Sequence, residues 1–252
     1  MQSLWPTPPS SAGPVSDGDL ERIYAYPGDL DRAWVQVNFV ASADGAMSLD
    51  DLSEGLSHPA DKRIFLLGRD LADVILVGAG TARAEGYGGV RTSGARAERR
   101  ARLGLSATPP IAVVTRSAQL DPAGPLFTDT KAPALIITTE DAPAERKAAL
   151  AEAGAELVIA GRDQVDLPGA LAQLAARGLR RVDCEGGPSL FADLIAADLV
   201  DQLCLTVGPL LAGAGAGRIA HGTASAAPRR LDLASILLED SFTMLRYRRS
   251  SG

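Results

Sequence analysis

Three short runs without a single polar residue constrain this chain most: Val74-Ile75-Leu76-Val77, Ile111-Ala112-Val113-Val114 and Leu135-Ile136-Ile137. A strand with one wet face alternates apolar and polar residues. A run that does not alternate is buried on both faces, the situation of parallel strands covered by helices. Stretches with helical periodicity lie between such runs. Over residues 59–71, Ile64, Leu67 and Leu71 recur at helical spacing with Lys62, Arg63 and Arg69 between them, and Pro59 suits the first turn. Asp141 reads as the cap of a helix ending near Gly154, a further helix over 168–177 stops at Gly178, and Pro188 opens another through Ala196. Residues 35–40, 157–159 and 181–184 read as strands, residues 202–207 alternate, and 236–248 read as a final hairpin. The expected fold is α/β: a central, mostly parallel sheet with an antiparallel C-terminal edge hairpin and flanking helices.

The chain has 252 residues, 46% of them apolar, enough for one such domain with a full core. Residues 1–30, rich in Pro and Ser up to Gly18, read as a partly flexible N-terminal arm whose aromatics near Tyr24 and Tyr26 dock on the body. Residues 31–252 read as a single domain. The region 83–106, rich in Gly, Arg and Ala, reads as a mobile loop and helix, with the arginines at 96, 99, 100 and 102 on a solvated face.

A formal net charge of -6 argues against a general nucleic-acid binder. It leaves room for a small phosphorylated ligand, which needs only a few local arginines and helix N-termini. Cys184 and Cys204 lie in apolar runs and read as buried thiols. With no C-x-x-C pair and only His58 and His221, no metal site is expected. No run approaches the roughly 20 apolar residues of a membrane helix. The N-terminus lacks an apolar signal core, so the expected compartment is the cytoplasm.

Four strand ends carry candidate chemistry. Gly78-Ala79-Gly80-Thr81 and Glu185-Gly186-Gly187-Pro188-Ser189-Leu190 each join a buried strand to a helix. Bare glycine backbone at a helix N-terminus suits a pyrophosphate. The same pattern also suits an ordinary tight turn, and Arg83 occupies the place of a third Rossmann glycine. Ser42-Ala43-Asp44-Gly45 suits a ligand-facing loop or a common Asp-Gly turn. Arg116 with Ser117 suits a phosphate monoester such as the adenosine 2′-phosphate of NADPH, or an exposed loop. Glu185 reads either as a carboxylate at the ligand crevice or as a solvated loop residue.

In this order, with Ser57 ahead of a helix and with Leu199-Val200-Asp201-Gln202-Leu203 and Gly208-Pro209-Leu210-Leu211 behind, these motifs resemble the reductase domain of riboflavin biosynthesis over roughly residues 34–250. The chain looks like that reductase without the deaminase domain that precedes it in many bacterial members. The resemblance implies a dihydrofolate-reductase-like fold, a homodimer and NADPH as hydride donor. It implies as substrate a phosphorylated ribosylamino-pyrimidine, whose ribose is reduced to ribityl. It puts cofactor contacts on Ser42, Thr81, Ser117 and the stretch Gly187, Pro188, Ser189 and Leu190, to which the strand-end reading adds Gly78, Gly80, Arg116 and Gly186. It puts the substrate on Ser57, Lys62 or Arg63, the loop after Thr81, and Glu185, and Asn38 and Asp44 at the strand ends complete the expected substrate side. Glu85 or Glu185, or a water held by either, is then the expected proton donor. Two positions depart from the family: Asn38 stands where many members have Lys, and Glu85-Gly86-Tyr87 where most have Asp-Asp-Pro. They keep open a dihydrofolate or other pterin reductase of the same fold, and a non-catalytic nucleotide-binding protein.

Overall fold

In the computed structural model the described residues are 1–6, 13–49, 52–222 and 227–250. Part of the Pro- and Ser-rich arm, residues 7–12, lies outside them. One sheet of ten strands organises the molecule, in the order β1-β9-β10-β8-β2-β7-β3-β4-β5-β6. Its parallel part holds β2 (Trp34–Ser42), β3 (Val74–Gly78), β4 (Ile111–Val114), β5 (Leu135–Thr138), β6 (Glu156–Ile159), β7 (Arg181–Cys184) and β8 (Gln202–Gly208). The antiparallel part holds β9 (Leu231–Glu239), β10 (Phe242–Arg249) and β1 (Gln2–Trp5). The C-terminal hairpin is therefore not the edge. Strand β1 pairs outside β9 and covers it.

The apolar runs are buried on both faces. Val74 and Leu76 point into one layer with Leu171, Leu174 and Leu194, while Ile75 and Val77 point into the other with Ile136 and Leu150. Helices α7 (Leu167–Ala176) and α8 (Pro188–Ala196) cover the first face. Helices α2 (Pro59–Leu71), α3 (Ala79–Ala84), α5 (Pro125–Thr128) and α6 (Ala144–Glu152) cover the second, with α1 (Asp17–Tyr24) and α4 (Ala95–Arg102) outside α2. Each fully buried Leu, Ile or Val contributes about 1.5–3 kcal/mol. No helix among the described residues is long and apolar enough to cross a membrane.

Three segments differ from the sequence reading. The first thirty residues contribute β1 and α1. Ser16 starts α1 with a capping box, and Leu20 and Tyr24 are buried against Ile64 and Leu67 of α2. Arg96, Arg99 and Arg100 of α4 are not on a solvated face, whereas Arg102 is exposed and pairs with Glu21. Arg100 is 0% exposed, and its Nη1 donates to the carbonyls of Arg69, Asp70 and Ala72, satisfying the C-terminal end of α2. Arg96 and Arg99 both pair with the buried carboxylate of Asp70. Helix α6 begins at Ala144 after Pro143, without a side-chain cap from Asp141.

Candidate active site

The parallel strands end on one side of the sheet, and a cleft of about 1510 Å³ opens there. Sites for one drug-sized ligand span roughly 300–1,000 Å³, so this cleft has room for two ligands side by side.

One half is built from the glycine turns. Strand β3 passes into α3 at Gly78, and β7 passes into α8 through Gly186 and Gly187. The turns lock together: the Gly78 amide donates to the Gly186 carbonyl at 2.7 Å. A Cβ at Gly187 would stand 2.2 Å from Thr81 Oγ1. Gly186 has φ of +89°, and a Cβ there would meet the Phe39 ring at 3.0 Å. At Gly80 a Cβ would meet open space, so bare backbone faces the cleft. Among the described residues no side chain caps the N-terminus of α8, so its first amides can receive an anion. Gly78, Gly80, Thr81, Arg116, Ser117, Gly187, Pro188, Ser189 and Leu190 all line this half, with Gly186 directly behind. Arg116 is exposed on the rim.

Ser42 takes a different part. Its hydroxyl accepts from the Ala46 amide at 2.9 Å and donates to Asp44. Asp44 accepts from the amides of Ala212 and Gly213, which ties the Asp-Gly turn to the loop after β8. The Ser42 bond, then those amides, hold the Asp44 carboxyl down at about 2. Neither residue lines the cleft.

The other half is polar and lies under α2. Glu185 is buried, and Arg69 grips both its oxygens, Nε to Oε1 at 2.6 Å and Nη2 to Oε2 at 2.7 Å. The Tyr87 hydroxyl donates to Oε2 at 2.6 Å. The Arg69 guanidinium lies 4.5 Å from the centre of the Phe65 ring and 5.5 Å from that of Tyr87. Burial would lower the Arg69 pKa, but the charge and hydrogen bonds of Glu185 outweigh it and raise it. Burial, then the Glu185 charge, push the Tyr87 phenol well above its ordinary range. Glu185 is thus a held carboxylate at the crevice, not a solvated loop residue.

Asn38 lies on the cleft wall, nearly buried, and Lys62 reaches the cleft from the first turn of α2. Ser57 donates to Asp61 Oδ2 at 2.9 Å, and burial raises the Asp61 pKa despite hydrogen bonds from Thr206 and Ser57. Arg63 turns away and pairs with Asp17 of α1. Glu85 is exposed at the mouth, where it accepts from the Ser53 hydroxyl at 3.0 Å and the Ser53 amide at 3.2 Å. His58 serves as the N-cap of α2, its Nδ1 accepting from the Ala60 amide.

Sequence reasoning missed Arg69 and Asp61, and reached Tyr87 only as part of the loop after Thr81. Helical spacing carries a signal for the first: Lys62 and Arg69 stand two turns apart on one face, whereas Arg63 is rotated off it.

The RibD C-terminal domain matches residues 33–240. The 2,5-diamino-6-ribosylamino-4(3H)-pyrimidinone 5′-phosphate reductase of Archaeoglobus fulgidus is 31% identical over 183 residues, covering 72% of this chain and 83% of that protein. A pyrimidine reductase-like protein from Corynebacterium diphtheriae superposes with a TM-score of 0.78 at 25% identity, over 87% of this chain and 93% of that one. The riboflavin biosynthesis reductase of Saccharomyces cerevisiae shares the fold, with a TM-score of 0.64 at 16% identity over 89% and 93%.

Proposed function

The chain belongs to the RibD C-terminal domain family of riboflavin-pathway reductases, and from that premise we propose that it uses NADPH to reduce a ribosylamino-pyrimidine phosphate or a close analogue. One observation carries the reading: two interlocked glycine turns stand at the head of a cleft whose other half presents a carboxylate held by a guanidinium and a phenol. The residues present fit the cofactor, because the bare backbone at Gly80 and the uncapped start of α8 form a cradle for its phosphates. Arg116 and Ser117 lie on the rim where they suit a 2′-phosphate. Bound there, the nicotinamide supplies the hydride.

The chain's own residues do the rest. Glu185, fixed by Arg69 and Tyr87, orients donor groups of the pyrimidine ring. Asn38, Ser57 and Lys62 line the substrate half, with Lys62 the cation for its phosphate. Hydride addition to a C=N or C=O carbon leaves the heteroatom to take a proton. We assign that role not to Glu185, which gives both its oxygens to Arg69, nor to Glu85, which sits at the mouth, but to Asp61. Asp61 lines the cleft, is shielded from water and holds its proton more readily than an ordinary carboxyl. We place this activity in the cytoplasm, in a homodimer as the family resemblance implies.

Steady-state NADPH oxidation, followed optically, is expected with the diamino-ribosylamino-pyrimidinone phosphate and not with dihydrofolate. Turnover of dihydrofolate alone reassigns the substrate. Tight NADPH binding without turnover of either makes the chain a nucleotide-binding protein. R116A is expected to weaken NADPH far more than NADH, and equal weakening contradicts the 2′-phosphate role.

A further inference from the structure

The pairing of Arg69 with Glu185 leaves a second buried carboxyl unexplained. Asp183 lies two residues before Glu185 and faces the same side of the sheet, toward α2. It is 0% exposed. Its Oδ1 accepts one bond, from Gln36 Nε2 at 3.2 Å, and its Oδ2 has no partner among the described residues. Helix α2 seats against it because position 68 is glycine: a Cβ there would stand 2.6 Å from Asp183 Oδ2.

Register places Asp183, Gln36, Gln202 and Arg248 in one line across β7, β2, β8 and β10. Gln202 Nε2 donates to Gln36 Oε1 at 2.5 Å, and Gln202 Oε1 accepts from Arg248 Nε at 2.8 Å and from Arg246 Nη1 at 3.3 Å. The arginines of β10 are thus two amides away from Asp183. The ionisable groups nearer to it are Glu185 and Cys184 on β7, Arg69 on α2, Cys204 on β8, and Tyr26 after α1. Burial pushes both thiols up to about 12 and the Tyr26 phenol well above its ordinary range, so all three are neutral. Among the described residues two carboxyls therefore share one nearby cation, and Arg69 bonds both oxygens of Glu185.

We propose that Asp183 is a positioning residue that works as a neutral acid: holding a proton, it leaves Arg69 wholly to Glu185, and losing the proton draws Arg69 away and loosens Glu185 in the cleft. The geometry alone favours the neutral form, since a buried carboxylate with one amide donor and an unpartnered oxygen carries a large desolvation cost. In the same direction, burial and then the Glu185 charge push the Asp183 carboxyl up to about 8. The sign is fixed: the competent state is protonated, so function is retained below that value and lost above it. The effect on turnover rests on the reductase reading, while the protonation of Asp183 does not.

The test compares the full wild-type chain with D183N, whose amide imitates the neutral acid. The ratio of variant to wild-type kcat/KM is expected to climb with pH, approaching tenfold per unit above the wild-type break. A purely structural role would lower kcat/KM by a constant factor, so a pH-independent ratio overturns the proposal. In parallel, the carboxyl-carbon NMR shift of Asp183 in the wild type is expected to titrate near 8, and titration in the ordinary aspartate range overturns the proposal. That second measurement decides the matter if D183N does not fold, or if the chain turns over no pyrimidine.

Discussion

The two halves of the cleft are built by opposite routes. The glycine-turn half is local: each turn is a few consecutive residues between a strand and its own helix, and the two meet because β3 and β7 are neighbours in the sheet. The polar half is long-range. Arg69 and Glu185 are 116 residues apart, and Tyr87 and Glu185 are 98 apart. A local device tolerates change elsewhere in the chain but not a single added carbon. A long-range device tolerates reshaping but not the loss of a charge.

The comparison predicts unequal responses to substitution. The largest effect is expected from R69M, which leaves the buried Glu185 without its cation. Stability should fall by about 3–5 kcal/mol in urea unfolding. A loss under 1 kcal/mol would show that the pair is not the keystone of its half. Next comes G187A. The added methyl meets Thr81 Oγ1 and forces the turns apart, so NADPH affinity should fall about 100-fold in a fluorescence titration while the fold remains. Unchanged affinity would remove this turn from the cofactor site. Y87F should cost about 1.5 kcal/mol, the value of a hydrogen bond to a charged group, and raise KM for the pyrimidine more than KM for NADPH. An equal rise in both would erase the division between halves. The smallest effect is expected from R63A, whose pairing with Asp17 is solvent-exposed: below about 1 kcal/mol in stability and none on turnover.

The same division explains what could be read in the sequence. The runs at β3, β4 and β5 announced parallel strands because burial on both faces leaves no polar position. Helix α8 was read to its ends because Pro188 fixes its first turn. The glycine turns were legible as motifs, although not the contact between Gly187 and Thr81, which depends on how the two strands pair. Ser42 and Asp44 were read as ligand contacts, but Ser42 caps its own turn at Ala46 and Asp44 accepts from the Ala212 and Gly213 amides of the loop after β8. Arg63 had no visible partner until α1 was in place, and α1 itself follows a Pro- and Ser-rich stretch that gives no periodic signal. The arginines of α4 read as solvated because their acceptors, Asp70 and the carbonyls ending α2, come from a different element. Asp183 read as one polar residue in a strand, and its burial follows from the helix laid over it at Gly68.

The central claim is that the glycine-turn half delivers a hydride to a pyrimidine held in the polar half. NADPH carrying deuterium on the transferred position of the nicotinamide, mixed with the ribosylamino-pyrimidine phosphate and followed by mass spectrometry, tests it most directly. The account predicts one deuterium in the ribityl chain of the product for each NADPH consumed. NADPH that binds but is never consumed, or product whose deuterium is replaced by solvent hydrogen, would contradict it.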